Sequence, residues 1–149
     1  MPRSKNAIAL AAVAAMAAAG SAGALGIDGG RLAPCPDSPN CVSSDATDPS
    51  HRIEPFRLAA APEKAWAELQ SVLGKMPRVT IAQRSADYLR AEFASAVFGF
   101  VDDVEFHLRA QDGVIAVRSA SRTGYYDFGV NRRRVEDLRD ALRQRGAVK

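Results

Sequence analysis

FVDDVEFHLRAQDGVIAVRSASR, residues 100–122, decides the fold. Asp112-Gly113 is a strong hairpin turn signal, and the runs on either side, Phe100–Arg109 and Val114–Arg122, are of strand length. Strand alternation puts Phe100, Asp102, Val104, Phe106 and Leu108 on one face, with Val101, Asp103, Glu105, His107 and Arg109 on the other. A two-residue turn at Asp112-Gly113 pairs residues whose numbers sum to 225, and a four-residue loop makes that sum 223. Both sums are odd, so either register puts Asp102 on the apolar face near Ser119 and Ser121. Either also puts Asp103, Glu105 and His107 on the polar face among Arg118 and Arg122.

Working outward, Tyr88–Ala94 alternates Leu89, Ala91 and Phe93 with Tyr88, Arg90 and Glu92, the pattern of a half-buried strand. Arg78–Arg84 and Ile53–Ala59 also read as strands. Between those two, Pro62 suits a first helical position. Trp66, Leu69, Val72, Leu73 and Met76 follow at helical spacing, with Glu63, Lys64, Glu68 and Lys75 largely opposite, and Gly74 and Pro77 close the helix. Trp66 therefore reads as core. A second helix is expected over Arg132–Arg145, with Val135, Leu138 and Leu142 inward and Gly146 as its stop. Asn131 is its expected N-cap, and Val130 and Val135 are its expected hydrophobic staple. The order β-α-β-β-β-β-α predicts an α+β fold, an antiparallel sheet of about five strands with both helices on one face. Val97, Phe98 and Phe100, around Gly99, read as further core, with an apolar contact surface for an envelope or assembly component as the alternative.

Three regions precede or make up this fold. Residues 1–24 read as a signal peptide: Arg3 and Lys5 begin it, AIALAAVAAMAAA (7–19) is unbroken apolar chain, and Ala22-Gly23-Ala24 gives a small-x-small cleavage pattern. The apolar run continues to Ile27, long enough for an uncleaved inner-membrane anchor over residues 7–27. Residues 25–52, rich in Gly, Pro, Ser and Asp, read as an irregular Cys-containing arm that carries one of the two histidines, His51. Residues 53–149 form the α+β domain. Removing residues 1–24 from the 20 basic and 17 acidic residues leaves 18 against 17, so the basic pI is no sign of nucleic-acid affinity. A periplasmic or secreted location is expected, and the membrane is reached only if the N-terminal segment stays uncleaved.

Cys35 and Cys41 are separated by PDSPN. The prolines and polar turn residues between them favour close approach and an oxidising compartment favours a bond, so a structural disulfide is expected, with free or metal-binding thiols as the alternative. Asp102 shares a face with Val104, Phe106 and Leu108, and a buried carboxylate there must be hydrogen-bonded or paired. With Asp103, Ser119, Ser121 and Asp127 it is expected to form a structural polar network, or else a polar patch in a cavity between sheet and helices. His107 projects to the other face from both serines, which opposes a Ser/His/Asp triad. Asp103, Glu105 and His107 stand roughly 6.8 Å apart along one face, near the span of a metal site. Arg118 and Arg122 lie opposite and would repel a cation, so no metal and no cofactor is expected.

Arg132, Arg133 and Arg134 fall in the first helical turn, where positive charge opposes the macrodipole. They either pair with Asp127, Glu136 or strand carboxylates, or Arg132 and Arg134 converge with Arg118, Arg122 and Asn131 on a bound anion, for which arginine's planar fork is suited.

CPDSPNCVSS (35–44), FVDDVEF (100–106) and RSASRTGYYDFGVNRRRVEDLR (118–139) closely resemble the signature blocks of domain-of-unknown-function family 1499. The resemblance covers roughly residues 34–145. It implies that Cys35, Cys41, Asp102, Asp103, Arg118, Ser119, Ser121, Arg122, Asp127, Asn131 and Arg134 occupy motif positions, in a mainly bacterial family often found behind a signal or membrane segment. It implies no activity. The expected function is therefore a cell-envelope binding domain for an anionic small molecule, lipid headgroup or protein partner. The alternatives are a hydrolase using Asp102 or Asp103 beside the arginines and a purely structural envelope component.

Overall fold

The computed structural model describes residues 24–149. The expected signal segment lies outside them except for Ala24. In chain order the elements are β1 (Ile27–Asp28), β2 (Arg31–Leu32), β3 (Cys41–Ser43), β4 (Phe56–Arg57), α1 (Pro62–Lys75), β5 (Val79–Arg84), β6 (Tyr88–Ala94), β7 (Val101–Arg109), β8 (Val114–Ser121) and α2 (Val130–Gln144). The main sheet is antiparallel, in the order β3-β8-β7-β6-β5, with β4 also paired to β8. It has six strands, and both helices pack on one of its faces.

The central hairpin takes the register in which paired numbers sum to 223, as in Asp102↔Ser121 and Arg109↔Val114. The connection is a four-residue loop, Ala110–Gly113, whose single helical turn ends on Gly113 at φ 65°. A two-residue type I′ turn, the kind that Asp-Gly favours, would need both of its residues at positive φ; here Gly113 alone takes that conformation.

Ile53–Ala59 is not one strand. Pro55 offers no N–H to a ladder, and only Phe56 and Arg57 pair with β8, at Ile115 and Val114. The vacated length of the same edge is taken by β3, which pairs with Ala120, Ser119 and Arg118. Residues of the arm are thus part of the sheet.

The core lies between the sheet and the helices. Leu89, Ala91, Phe93, Val104, Phe106, Ile115 and Val117 meet Ala65, Trp66, Leu69, Val72 and Leu73 of α1 and Val135, Leu138 and Leu142 of α2. Gly146, at φ 68°, ends α2 in a Schellman arrangement: its N–H reaches the Arg143 carbonyl and the Ala147 N–H reaches that of Leu142. The C-terminal residues then return to the sheet edge, where Ala147 and Val148 are buried beside Leu58.

Two expectations for α2 are corrected. The helix begins at Val130 with Gly129, at φ 78°, as its N-cap. Asn131 is inside the first turn and fully buried, so the capping oxygens come from Asp127, which accepts from the N–H groups of Gly129 (2.8 Å) and Asn131 (3.0 Å). The start moves because glycine adopts the left-handed entry without a Cβ penalty, while Asn131 is drawn inward by the sheet. It also takes Val130 and Val135 out of staple positions, and Val130 is exposed. A third correction concerns Val97, Phe98 and Phe100, which are 81%, 76% and 57% exposed rather than core. They occupy the β6–β7 loop, past the end of the sheet, where no helix covers them.

Candidate functional site

The residues singled out from the sequence divide between two sites on opposite faces of β7 and β8. On the helix side, Asp102, Ser119 and Ser121 meet the start of α2. Asp102 does not take its hydrogen bond from the serines. Arg134 reaches it from α2 (2.5 Å) and also donates to Asn131 Oδ1 (2.7 Å) and Ser119 Oγ (3.0 Å). The Arg134 guanidinium also lies 4.9 Å from the Phe93 ring centroid, a cation–π contact. Asn131 Nδ2 donates to Ser121 Oγ, Asp127 Oδ2 and the Asn40 carbonyl, while its Oδ1 accepts from Ser119. Every polar group of that side chain is used, which is what a fully buried amide requires. Burial pushes the Asp127 carboxyl up, but the N–H groups of Asn131 and Gly129 outweigh it and hold it below its ordinary value.

The other face of the sheet carries more charge. Cross-strand register stacks Arg90, Glu105 and Arg118 in one row, and Glu92, Asp103 and Ala120 in the next. Asp103 accepts from Arg122 through both oxygens (2.7 and 2.9 Å) and from Arg90 (2.8 Å). Arg90 and Arg122 also share Glu92 Oε1, at 3.0 and 2.6 Å. Burial raises the Asp103 carboxyl, but Arg122 and Arg90 together hold it below its ordinary value.

The arm lies across this face. Ala116 and Ala120 are small enough to let it approach, and Leu32 packs on Tyr88 and Ala116. Beneath it Glu105 and Arg118 are 0% and 1% exposed and paired at 3.1 Å. Glu105 also accepts from the Tyr88 hydroxyl (2.8 Å) and the Gly26 N–H (2.6 Å), and Arg118 donates to the Pro34 carbonyl. Tyr88, buried against this carboxylate, has its phenol pushed well above the ordinary range. A second clamp is Asp45, which accepts a bidentate Arg109 fork (2.8 and 2.6 Å) and the Leu32 N–H (2.8 Å). The Cys35–Cys41 disulfide closes the bend in the arm between these contacts and β3. His51, read from sequence as lying in a loose segment, is 8% exposed, and its ring nitrogens face Asp48 Oδ2 (2.7 Å) and the Ser38 carbonyl (2.9 Å).

Arm and sheet do not close completely. A cleft of about 480 Å³ remains between them, lined by Arg90, Arg118, Arg122, Asn40, Ser121 and Tyr125 among others. The Nε of Arg118 is buried without a hydrogen-bond partner, the one such side-chain atom among the described residues. Of the five residues expected around a bound anion, only Arg118 and Arg122 line this cleft. Asn131 and Arg134 belong to the helix-side network. Arg132 donates to the Arg52 and Ser50 carbonyls, tying α2 to the arm, and Arg133 donates to the Phe128 carbonyl.

Arg90, Asn40, Tyr88 and Asp45 were not singled out from the sequence. Arg90 and Tyr88 carried a usable signal, since they alternate onto the same face as Glu105. Asn40 and Asp45 lie in aperiodic chain and carried none.

An arm of irregular chain, pinned by a disulfide and clamped over the charged face of an antiparallel sheet with a cleft left open, defines a compact α+β domain of sheet, two helices and arm. The chain belongs to the family described as "Protein of unknown function (DUF1499)", whose model matches residues 31–142. The match takes in most of the arm and the whole main sheet, and with them every residue that lines the cleft except Leu25. Neither a curated protein nor a solved structure matches the chain.

Proposed function

We propose that the domain is a non-catalytic binding module of the cell envelope, and that the cleft under the arm takes a small ligand bearing a phosphate or carboxylate group. The observation that carries this reading is Arg118, which lines a ligand-sized cleft and whose buried Nε–H lacks an acceptor. An unmet buried donor of this kind costs about 1–3 kcal/mol, which a ligand oxygen would recover on a small shift of the arm that admits it. Arg90 and Arg122, on the same wall, offer further donors in the planar geometry that suits oxyanions. Their charges are already balanced by Glu92, Asp103 and Glu105, so binding rests on hydrogen bonds rather than on net positive potential. Export is supported by the apolar residues 7–19 and by the disulfide, which persists in oxidising compartments. A hydrolytic role for Asp103 is disfavoured because arginine N–H groups occupy both of its oxygens.

The test is thermal unfolding with a panel of phosphate- and carboxylate-bearing compounds and their neutral analogues. A ligand present at 100 times its Kd adds about 2.7 kcal/mol, a rise of several degrees. Arg118→Lys keeps the charge beside Glu105 but removes the Nε donor, and it should abolish the rise. Arg134→Gln, on the opposite face, should leave it intact. A panel with no active member, or a rise that survives Arg118→Lys, overturns the reading.

A further inference from the structure

The β6–β7 loop (95–100) and the β8–α2 connection (122–129) leave the sheet at the same end, because β7 and β8 are antiparallel neighbours. The Arg122 N–H joins them by donating to the Val101 carbonyl. Both expose large apolar and aromatic side chains, Val97, Phe98 and Phe100 on one and Tyr125, Tyr126 and Phe128 on the other. Phe98 and Phe100 are tilted together at 5.7 Å, and Tyr125 and Tyr126 meet edge-on at 4.8 Å. Phe128 is 88% exposed.

Phe128 also sits at φ 53°, a left-handed conformation that is a genuine outlier for a bulky residue and costs about 1–3 kcal/mol. The fold thus spends backbone strain on a ring that contributes no packing. Exposed apolar patches on a soluble domain mark contact surfaces.

Charge and chain path say what the contact is. Residues 95–101 contain no charged side chain, and residues 122–134 contain four arginines against one aspartate. Arg132 and Arg133 are exposed and donate only to carbonyl oxygens, so no carboxylate among the described residues neutralises them. Aromatic rings interleaved with unpaired arginines suit the interface of an anionic bilayer, where rings sit at headgroup depth and cations meet lipid phosphates. The chain enters the described domain on the cleft side: Leu25 and Tyr125 both line the cleft, and Leu25 follows a few residues after the apolar sequence of residues 7–19.

We propose that this end of the domain docks on a lipid bilayer, with Phe98, Phe100, Tyr125, Tyr126 and Phe128 seated in the interface and Arg132 and Arg133 over the headgroups. The docking stands apart from whatever fills the cleft, although it would place the cleft mouth, at Tyr125, close to the membrane. The opposite end of the hairpin, at Ala110–Asp112, is then held away by the length of β7, roughly 27 Å.

The test uses the full-length chain with vesicles of phosphatidylcholine and phosphatidylglycerol whose acyl chains are brominated. Phe98→Trp, Phe128→Trp and Gln111→Trp each add one reporter, while buried Trp66 supplies a constant background. Docking predicts loss of emission by bromine quenching at positions 98 and 128 and none at 111. Absence of quenching at 98 and 128 overturns the proposal, as does equal quenching at all three positions. A lipid-independent, concentration-dependent blue shift at 98 and 128 also overturns it, because a second copy of the chain would then be the occupant. None of these outcomes depends on ligand binding in the cleft.

Discussion

Replacing Glu105 with glutamine keeps the side chain's shape and removes its charge. In the folded protein this carboxylate is fully buried and receives three donors: the Tyr88 hydroxyl, the Gly26 N–H and Arg118 Nη1. The amide has one acceptor oxygen to meet them, and its own N–H groups must face another donor. The Arg118 guanidinium, 1% exposed, would then be buried with no carboxylate against it. Breaking one side of a buried pair costs about 3–5 kcal/mol. The total stability of a domain this size is about 5–15 kcal/mol, so Glu105→Gln should remove a large share of it. The melting temperature should fall by roughly 10–20 °C. Urea unfolding followed by Trp66 emission measures the loss directly. The paired change Glu105→Leu with Arg118→Met removes both charges and should recover a large part of the deficit, because apolar replacement of a whole buried pair is often neutral. A loss below about 1 kcal/mol for Glu105→Gln would refute the reasoning, since it would mean that the arm does not keep water from Arg118 in solution. A double variant as unstable as the sum of the two single variants would refute it equally.

Two other outcomes follow from the arm and its clamps. Changing Cys35 and Cys41 to serine releases a seven-residue loop, which by chain entropy should cost about 2.4 kcal/mol and be visible as a lower urea midpoint with unchanged slope. Stability should also fall with acid in two stages. The carboxyls of Asp45, Asp103 and Asp127 lie below their ordinary value of 3.8 in the folded protein, so the unfolded chain binds protons first. Their contribution is complete above that pH and is lost as pH drops through the folded values. Burial, reinforced by Arg109, likewise holds His107 below its ordinary 6.5, so an earlier, gentler decline should begin as pH falls through that value. His107→Gln should remove the early decline and leave the later one in a melting series from neutral to acid pH.

The central hairpin was legible because β alternation is a strictly local property. Once Asp112-Gly113 marked the turn, both candidate registers gave the same faces, and Glu105 and Arg118 had to share one. The helices were equally plain: Leu69, Val72 and Leu73, and Val135, Leu138 and Leu142, repeat at the helical period whatever they pack against. The motif blocks at 35–44, 100–106 and 118–139 pointed to the family to which the chain belongs. Local pattern does not report which face of the sheet is covered by aperiodic chain. Residues 25–52 have no period, so nothing in them announced that Leu32 and Pro34 would lie over the polar face. Their coverage turns an ordinary surface ion pair into one buried at Glu105 and Arg118. Asn131 suited an N-cap by residue type and spacing, but tertiary contact with Ser119, Ser121 and Asn40 drew it inside the helix and left the capping to Asp127. Phe98 and Phe100 looked like core because hydrophobicity alone does not distinguish a buried ring from one placed beyond the sheet's end. Sequence by itself therefore determined the two helices, the four strands β5 to β8, the faces of the central hairpin and the family. The tertiary structure decided what is buried, because burial depends on which distant segment arrives to exclude water.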